Sequence, residues 1–341
     1  MGFGNDQNLE GLEDVDLVEV FRCMVTIRAF EEKSVELYRR GELPGFLHPS
    51  VGQEAVAAGF VFELTEADLL ISTHRGHGHL LAKGAEVSSM FAELYGRMDG
   101  LCKGLGGSMH IVDRIHGIIG ANGIVGAGLP IACGAGLAQK LAGSGNVVVA
   151  FFGDGATNIG AFHEALNLSG LWSLPIVFVC ENNGYGESTA FADVLPTADL
   201  MPRAMSYGMQ FELVNGNDVI ACMRAARRAV TRAREGQGPT LVQADTYRWY
   251  GHHVGDVAKY RTDHEVAKWK NERDPLSFLR AVLADSGYAD DVDLENVVEE
   301  ANRNVIDGAA RAVTAQEPEL VPAAEFVFGP AITLQGVCDG K

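Results

Sequence analysis

The sequence predicts an α/β protein: a parallel sheet with helices on both faces. Two observations carry this. Apolar runs at 146–155, 174–183, 211–214 and 239–249 read as strands buried on both faces. Stretches with helical spacing, at 161–172 and 218–235, lie among them. Parallel strands need crossovers of about a dozen residues or more, and such helices supply them. A third observation places the function. In open parallel sheets ligands sit at the carboxyl ends of the strands. The polar clusters fall there: Asp154, then Asn182 and Asn183, then the run from Arg248 to His253.

The elements follow in chain order. Residues 14–40 have helical spacing, with Val18, Phe21, Val25 and Phe30 on one side and Arg22, Arg28, Glu32 and Arg39 on others. Gly41, Pro44 and Gly45 then mark a loop. Residues 52–64 and 86–98 read as helices, and the glycine-rich 101–113 as a loop. Strand 146–155 ends in the Gly153-Asp154-Gly155 turn, which opens helix 161–172. Helix 218–235 carries Arg224, Arg227, Arg228 and Arg232, expected on a solvated face. From Asp263 the pattern is helical and acidic, and the tail after Pro330 reads as irregular. The expected organisation is an N-terminal helical segment over 1–40, an α/β domain over 41–262, and a C-terminal helical extension and tail over 263–341.

Composition narrows the class. Of 341 residues, 47% are hydrophobic and 21% charged, enough to bury a large core and too apolar for a disordered chain. Lys and Arg number 27 against 45 Asp and Glu, a net charge of −18. A nucleic-acid binder needs a basic footprint, and no Lys/Arg-rich block exists. Cys23, Cys102, Cys133, Cys180, Cys222 and Cys338 are scattered with no C-x-x-C pair, which reads as reduced thiols in a cytoplasmic protein. The polar, acidic N-terminus is neither a signal nor a transit peptide. Residues 115–139 lack any Asp, Glu, Lys or Arg, but 117–139 hold seven glycines with Asn122 and Pro130. That is poor material for a membrane span. A buried, glycine-rich segment close to a ligand is the reading adopted, with no membrane partner.

The most informative spacing is Gly153-Asp154-Gly155, then 26 residues, then Asn182-Asn183. Alone, the first triplet is a turn. Its strand–turn–helix–strand context puts Asp154 and Asn183 at the tips of two strands that can lie side by side. Both offer hard oxygens. Magnesium takes about six such ligands and commonly binds through one or two carboxylates plus substrate phosphates. The helix opened by the turn also favours phosphate at its N-terminus. These residues point to a diphosphate held through a metal. No G-x-G-x-x-G and no G-x-x-x-x-G-K-[ST] occurs, which weighs against dinucleotide and P-loop enzymes.

The triplet and asparagine pair look like the thiamine diphosphate motif. The segment GDGATNIGAFHEALNLSGLWSLPIVFVCENNGYG strongly resembles the α subunit of the thiamine-dependent first component of 2-oxo acid dehydrogenase complexes. GFLHPSVGQEA, ISTHRGHGHLLAKG, CKGLGGSMH, GANGIVGAGLPIA and TYRWYGHHVGD resemble further family segments, in the family's order. The likeness runs from about Asp16 to Gln316, with the pyruvate and acetoin branches the most similar.

The resemblance implies the thiamine diphosphate-binding fold in its diphosphate-binding half, with helical extensions. It implies magnesium bound by Asp154, Asn183 and the carbonyl of Tyr185. Gly155 and Ala156 would bring backbone N–H groups to the diphosphate, and Arg75 and Arg248 would grip it. Planar guanidinium groups suit paired phosphate oxygens. His74 stands where the family often has tyrosine before the first arginine. Gly123 and Val125 match the loop that holds the aminopyrimidine, and Ile124 the residue that supports the bent cofactor. His252 and His48 match active-site histidines, sensible where protons move near neutral pH. His253 replaces the regulatory serine of mitochondrial members, so no phosphorylation switch is expected there.

The implied reaction cleaves a 2-oxo acid or acetoin and passes the acyl unit to a lipoyl group on an acyltransferase partner. The glutamate that activates the cofactor belongs to a separate β subunit, so an α2β2 assembly is expected. A carboligase shares the early chemistry and stays open at this stage. A non-catalytic regulatory subunit is opposed by the intact set of Asp154, Asn183, Arg75 and His252. His74, His77 and His79 form H-x-x-H-x-H, a hydrolase-like metal spacing. Arg75 inside that run argues instead for loop packing near the cofactor.

Overall fold

The computed structural model describes residues 9–318. Cys338 and the segment after Pro330 lie outside that range. In chain order come α1 (Leu17–Arg39), α2 (Glu54–Val61), β1 (Leu69–Ile71), α3 (His77–Ala82), α4 (Val87–Leu94), β2 (Ile118–Gly120) and α5 (Gly128–Ala142). There follow β3 (Val148–Gly153), α6 (Gly160–Leu171), β4 (Ile176–Asn182), a small ribbon of β5 (Tyr185–Gly186) and β6 (Thr189–Ala190), α7 (Phe191–Val194) and α8 (Met201–Ser206). The rest is β7 (Gln210–Asn215), α9 (Val219–Arg234), β8 (Thr240–Asp245), α10 (Asp263–Glu272), α11 (Pro275–Asp285) and α12 (Asp291–Val313).

Six strands form one parallel sheet in the order β2-β1-β3-β4-β8-β7. The four strands expected from sequence are its right-hand side. The short β1 and β2 escaped the sequence reading because three residues give no readable period. Strand side chains alternate between two cores. Val149, Phe151, Val177 and Val179 pack with residues of α2, α4 and α9. Val148, Ala150, Phe152, Ile176 and Phe178 pack with residues of α5, α6 and α8. Helices therefore cover both faces, as expected.

A third core joins the two ends of the described chain. Leu17, Val20, Phe21 and Met24 of α1 meet Leu279 and Leu283 of α11 and Leu294, Val297 and Ala301 of α12. Aspartate side chains cap the N-termini of several of the longer helices. Asp16 accepts from the N–H groups of Val18 and Glu19, Asp218 from Ala221, and Asp290 from Asp293. The α9 arginines lie on its outward face, as expected, and form ion pairs there. Arg227 pairs with Glu63 and Asp14, and Arg228 with Glu212.

The glycine-rich stretch differs from the buried segment expected. It divides into β2 and α5, and several of its side chains are exposed rather than buried: Ile115, Ile124, Val125 and Ile131. An apolar run reports what a segment avoids, not which surface it packs on. No helix among the described residues is long and apolar enough to cross a membrane. Cys23, Cys102, Cys133, Cys180 and Cys222 are free thiols.

Two loops on the same side of the sheet are locked together. Gly52 adopts φ +99°, and a Cβ there would lie 2.4 Å from the Tyr247 carbonyl and 2.5 Å from the Trp249 ring. Only glycine lets these chains cross. Trp249 N–H donates to the Val51 carbonyl at 2.9 Å, and Thr246 Oγ1 donates to the Gly52 carbonyl. The guanidinium of Arg28 lies 4.1 Å over the Trp249 ring and pairs with the fully buried Glu54 and with Asp274. Glu54 in turn accepts the Gly52 N–H.

Arg28→Ala leaves the Glu54 carboxylate buried without its countercharge. We expect a loss of about 3–5 kcal/mol in urea unfolding. Arg40→Ala breaks only exposed pairs to Glu36 and Glu42 and is expected to leave the midpoint where it was.

Candidate functional site

A cavity of about 270 Å³ opens at the carboxyl ends of β3 and β4. Its walls come from residues within 72–75, 122–129, 151–156 and 181–187, with Gln53, Arg248 and His252. Of the residues singled out in the sequence, His74, Arg75, Ile124, Val125, Asp154, Gly155, Ala156, Asn183, Tyr185, Arg248 and His252 all line it. His48 and Gly123 do not. His48 lies behind the wall, its ring centroid 4.8 Å from that of His74 and 5.0 Å from that of His252. Gly123 is backed by His110, whose Nε2 would be 3.0 Å from an added Cβ.

Asp154 begins a 3₁₀ turn (Asp154–Asn158) directly after β3. Its side chain is buried, and Oδ2 has no hydrogen-bond partner. Burial raises its pKa to about 6, with Arg248 and Arg75 pulling the other way. A buried carboxylate with a free oxygen is costly unless a cation meets it. The turn itself is pinned. A Cβ on Gly155 would lie 3.1 Å from the Gly186 Cα, so the turn and the β5–β6 ribbon touch backbone to backbone.

The asparagine pair splits. Asn182 Nδ2 donates to Asp245, and its Oδ1 accepts the Gly184 N–H. Asn183 turns inward and its Nδ2 donates to Gln53 Oε1 at 3.2 Å. Gln53 Nε2 donates to Glu181 Oε1 at 3.0 Å. This relay fixes which amide atom of Asn183 faces the cavity. The sequence reading missed Gln53 and Glu181. The available signal was a lone acid inside the otherwise apolar strand IVFVCEN, with a glutamine one turn-start away in VGQEA.

Arg75 and Arg248 are both buried, and neither forms an ion pair among the described residues. Arg75 donates to the carbonyls of Pro49 and His252 at 2.7 and 3.0 Å. Burial and the nearby Arg248 lower its pKa to about 10. Arg248 donates to the carbonyls of Tyr185 (2.9 Å) and Glu187 and to the Tyr260 hydroxyl, while its Nε is unpartnered. Two buried guanidinium groups beside one cavity are chemically suited to an anion. The Tyr185 carbonyl thus already carries the Arg248 contact.

The run H-x-x-H-x-H does not hold one site; its three rings diverge. His77 joins Glu31 Oε2 and Ser108 Oγ, each at 3.0 Å. His79 joins Ser72 Oγ at 2.8 Å and stacks on Phe151. His74 alone turns to the cavity, where it meets His48 and His252. All three of that trio are held neutral. Burial, then Arg75, lowers His48 to about 3, His74 to about 2 and His252 to about 4.

The cavity therefore presents a cation-seeking carboxylate, an anion-seeking arginine pair and neutral imidazoles. That donor set fits a metal-bridged diphosphate. The family model for the dehydrogenase E1 component matches residues 22–321. The α subunit of acetoin:2,6-dichlorophenolindophenol oxidoreductase from Bacillus subtilis (strain 168) is 44% identical over 303 residues, 89% of this chain and 91% of that one. Its Cupriavidus necator counterpart is 41% identical, over 90% of this chain and 92% of its own. The pyruvate dehydrogenase E1 component α subunit of Rhizobium meliloti (strain 1021) is 40% identical, over 89% and 88%. On this match, which spans most of its length, the chain belongs to the dehydrogenase E1 component family.

Proposed function

We propose that the chain is the α subunit of a thiamine diphosphate-dependent dehydrogenase that acts on acetoin or a pyruvate-like 2-oxo acid. The observation that carries this reading is the buried Asp154 carboxylate, one oxygen unpartnered, facing the same cavity as Arg75 and Arg248. The family depends on thiamine diphosphate with magnesium. When bound, the cofactor supplies the nucleophilic carbon and electron sink that cleavage beside a carbonyl requires.

The chain's own residues do the rest. Asp154, Asn183 and the Tyr185 carbonyl would hold the magnesium. Gly155 and Ala156 would offer backbone N–H groups to the diphosphate, and Arg75 and Arg248 their charge. Gly123 and Val125 would hold the aminopyrimidine by main chain, with Ile124 beneath the bend. Gln53 orients Asn183 toward this task. His48 and His252 are neutral rings with an unpartnered Nδ1 each, suited to take or return a proton at a substrate oxygen.

Ile124 and Val125 are exposed on this chain although they border the cavity. That open edge supports a site finished by a β subunit, which would bring the activating glutamate, in an α2β2 assembly. The acyl unit would then pass to a lipoyl group of an acyltransferase. The acetoin and pyruvate relatives support this over a carboligase.

Calorimetric titration of thiamine diphosphate into the chain assembled with its β partner tests the site. Binding is expected with magnesium and is expected to vanish with EDTA. Asp154→Ala should lose the magnesium-dependent part; wild-type retention by that variant would remove the metal assignment. Dye-reduction assays on acetoin, pyruvate and branched 2-oxo acids then identify the substrate.

His252→Ala should assemble and bind cofactor, yet lose about 10²–10⁴-fold in kcat; near-normal turnover would exclude the ring from proton transfer. A pH dependence follows from the three histidines. Their folded pKa values lie below the ordinary value near 6.5. The unfolded chain therefore binds protons first, and their contribution to stability is whole above about pH 6.5 and falls as pH drops toward 4. Denaturant midpoints for His48→Asn should fall less steeply over that window than those of the parent.

A further inference from the structure

The histidine trio beside the cavity has a geometry that proton handling does not require. The rings arrive from three separate segments: His48 from the loop before α2, His74 from the loop after β1, His252 from the loop after β8. One nitrogen of each lies within 4.8 Å of one nitrogen of both others. Nδ1 of His48 and Nδ1 of His252 are buried and have no hydrogen-bond partner among the described residues. No hydrogen bond ties down the His74 ring among the described residues, in contrast to His77 and His79. Three neutral imidazoles that each bring one nitrogen within 4.8 Å of the others are the donor set of three-histidine zinc sites.

We propose that His48, His74 and His252 form a three-imidazole site for a first-row transition metal of the Zn²⁺ class, distinct from the magnesium site, and that its occupancy silences the proton-handling histidines. Magnesium prefers oxygen ligands and the trio offers only nitrogen, so the two ions sort themselves between the two sites. A tetrahedral zinc ion with Zn–N bonds of about 2.0–2.1 Å holds its nitrogens roughly 3.3 Å apart. The trio must close by about 1.5 Å at its widest. Rotating rings that hold no hydrogen bonds sacrifices none. A fourth position stays open toward the cavity, where His74 and His252 form the wall.

Two neighbours oppose the ion. Arg75 and Arg248 place positive charge near all or part of the trio. An anion in the cavity between them offsets that repulsion. The metal site is thus expected to be stronger in the cofactor-loaded protein, a condition that rests on the function proposed above. The silencing follows directly, since a ring nitrogen bound to metal no longer accepts a proton.

The test uses the full chain assembled with its β subunit and loaded with magnesium and thiamine diphosphate, loading being checked by calorimetry. Co²⁺ is titrated as a spectroscopic stand-in for Zn²⁺. One Co²⁺ per chain is expected, with the intensified visible absorption of a four- or five-coordinate ion. Zn²⁺ should displace it and excess Mg²⁺ should not. Turnover should fall in proportion to occupancy. His74→Phe and His48→Asn should each weaken Co²⁺ binding at least tenfold, and whichever assembles and binds cofactor carries the comparison. A spectrum that stays that of six-coordinate aqueous Co²⁺ overturns the site. Equal affinity in parent and variant also overturns it, and undiminished turnover at full occupancy overturns the silencing. If the cofactor fails to load, the proposed function falls instead. The titration is then run on the unloaded complex, where the same signals support or overturn the metal site by themselves.

Discussion

The site depends on one backbone crossing. Gly52 lets the chain before α2 pass under Tyr247 and Trp249 at a separation no side chain tolerates. That crossing brings residues 48–53 against residues 246–252, which are about 200 positions away in sequence. His48 and Gln53 come with the first segment, Arg248 and His252 with the second. Arg28 and the buried Glu54 secure the crossing from the side of α1. Arg261 secures it from the other side, donating to the carbonyls of Arg248, Trp249 and Tyr250. The sheet supplies Asp154 and Asn183 at strand ends, but without this clamp their partners would not face them.

The electrostatics of the cavity are unresolved within the chain, and that is the functional content. A half-satisfied carboxylate and two guanidinium groups that have no carboxylate partner among the described residues share one space. Buried charges normally pair with each other. Here backbone carbonyls and a tyrosine hydroxyl hold the arginines in place, which leaves their charge unneutralised. Asp154 forms no ion pair with them among the described residues, although both act on its charge. A ligand carrying both a divalent cation and a polyanion satisfies both at once. The same arginines, with burial, keep the nearby histidines neutral, so one arrangement both binds charge and sets protonation.

Much of this was legible in the sequence. Four of the six sheet strands, the helices between them and the positions of Asp154 and Asn183 follow from apolar runs and the polar residues that end them. Those signals are local, and a strand end is a local fact. The glycine-rich stretch was legible as unusual but not in its packing. Its exposed Ile124 and Val125 border the cavity, and a run of apolar residues does not say which neighbour covers it.

Sequence by itself determined the parallel α/β class and the pairing of a turn carboxylate with an asparagine one strand away, because hydrophobic period and hard-oxygen chemistry are written residue by residue. Tertiary structure alone decided which histidines meet. H-x-x-H-x-H places His74, His77 and His79 close together in sequence, yet His74 stays in the loop before α3 while His77 and His79 ride on that helix, and the three rings meet different surroundings. His48, His74 and His252 converge only because distant loops are clamped across Gly52. The Gln53–Glu181 relay was hidden for the same reason: a hydrogen bond between residues 128 positions apart leaves no periodic trace in the chain.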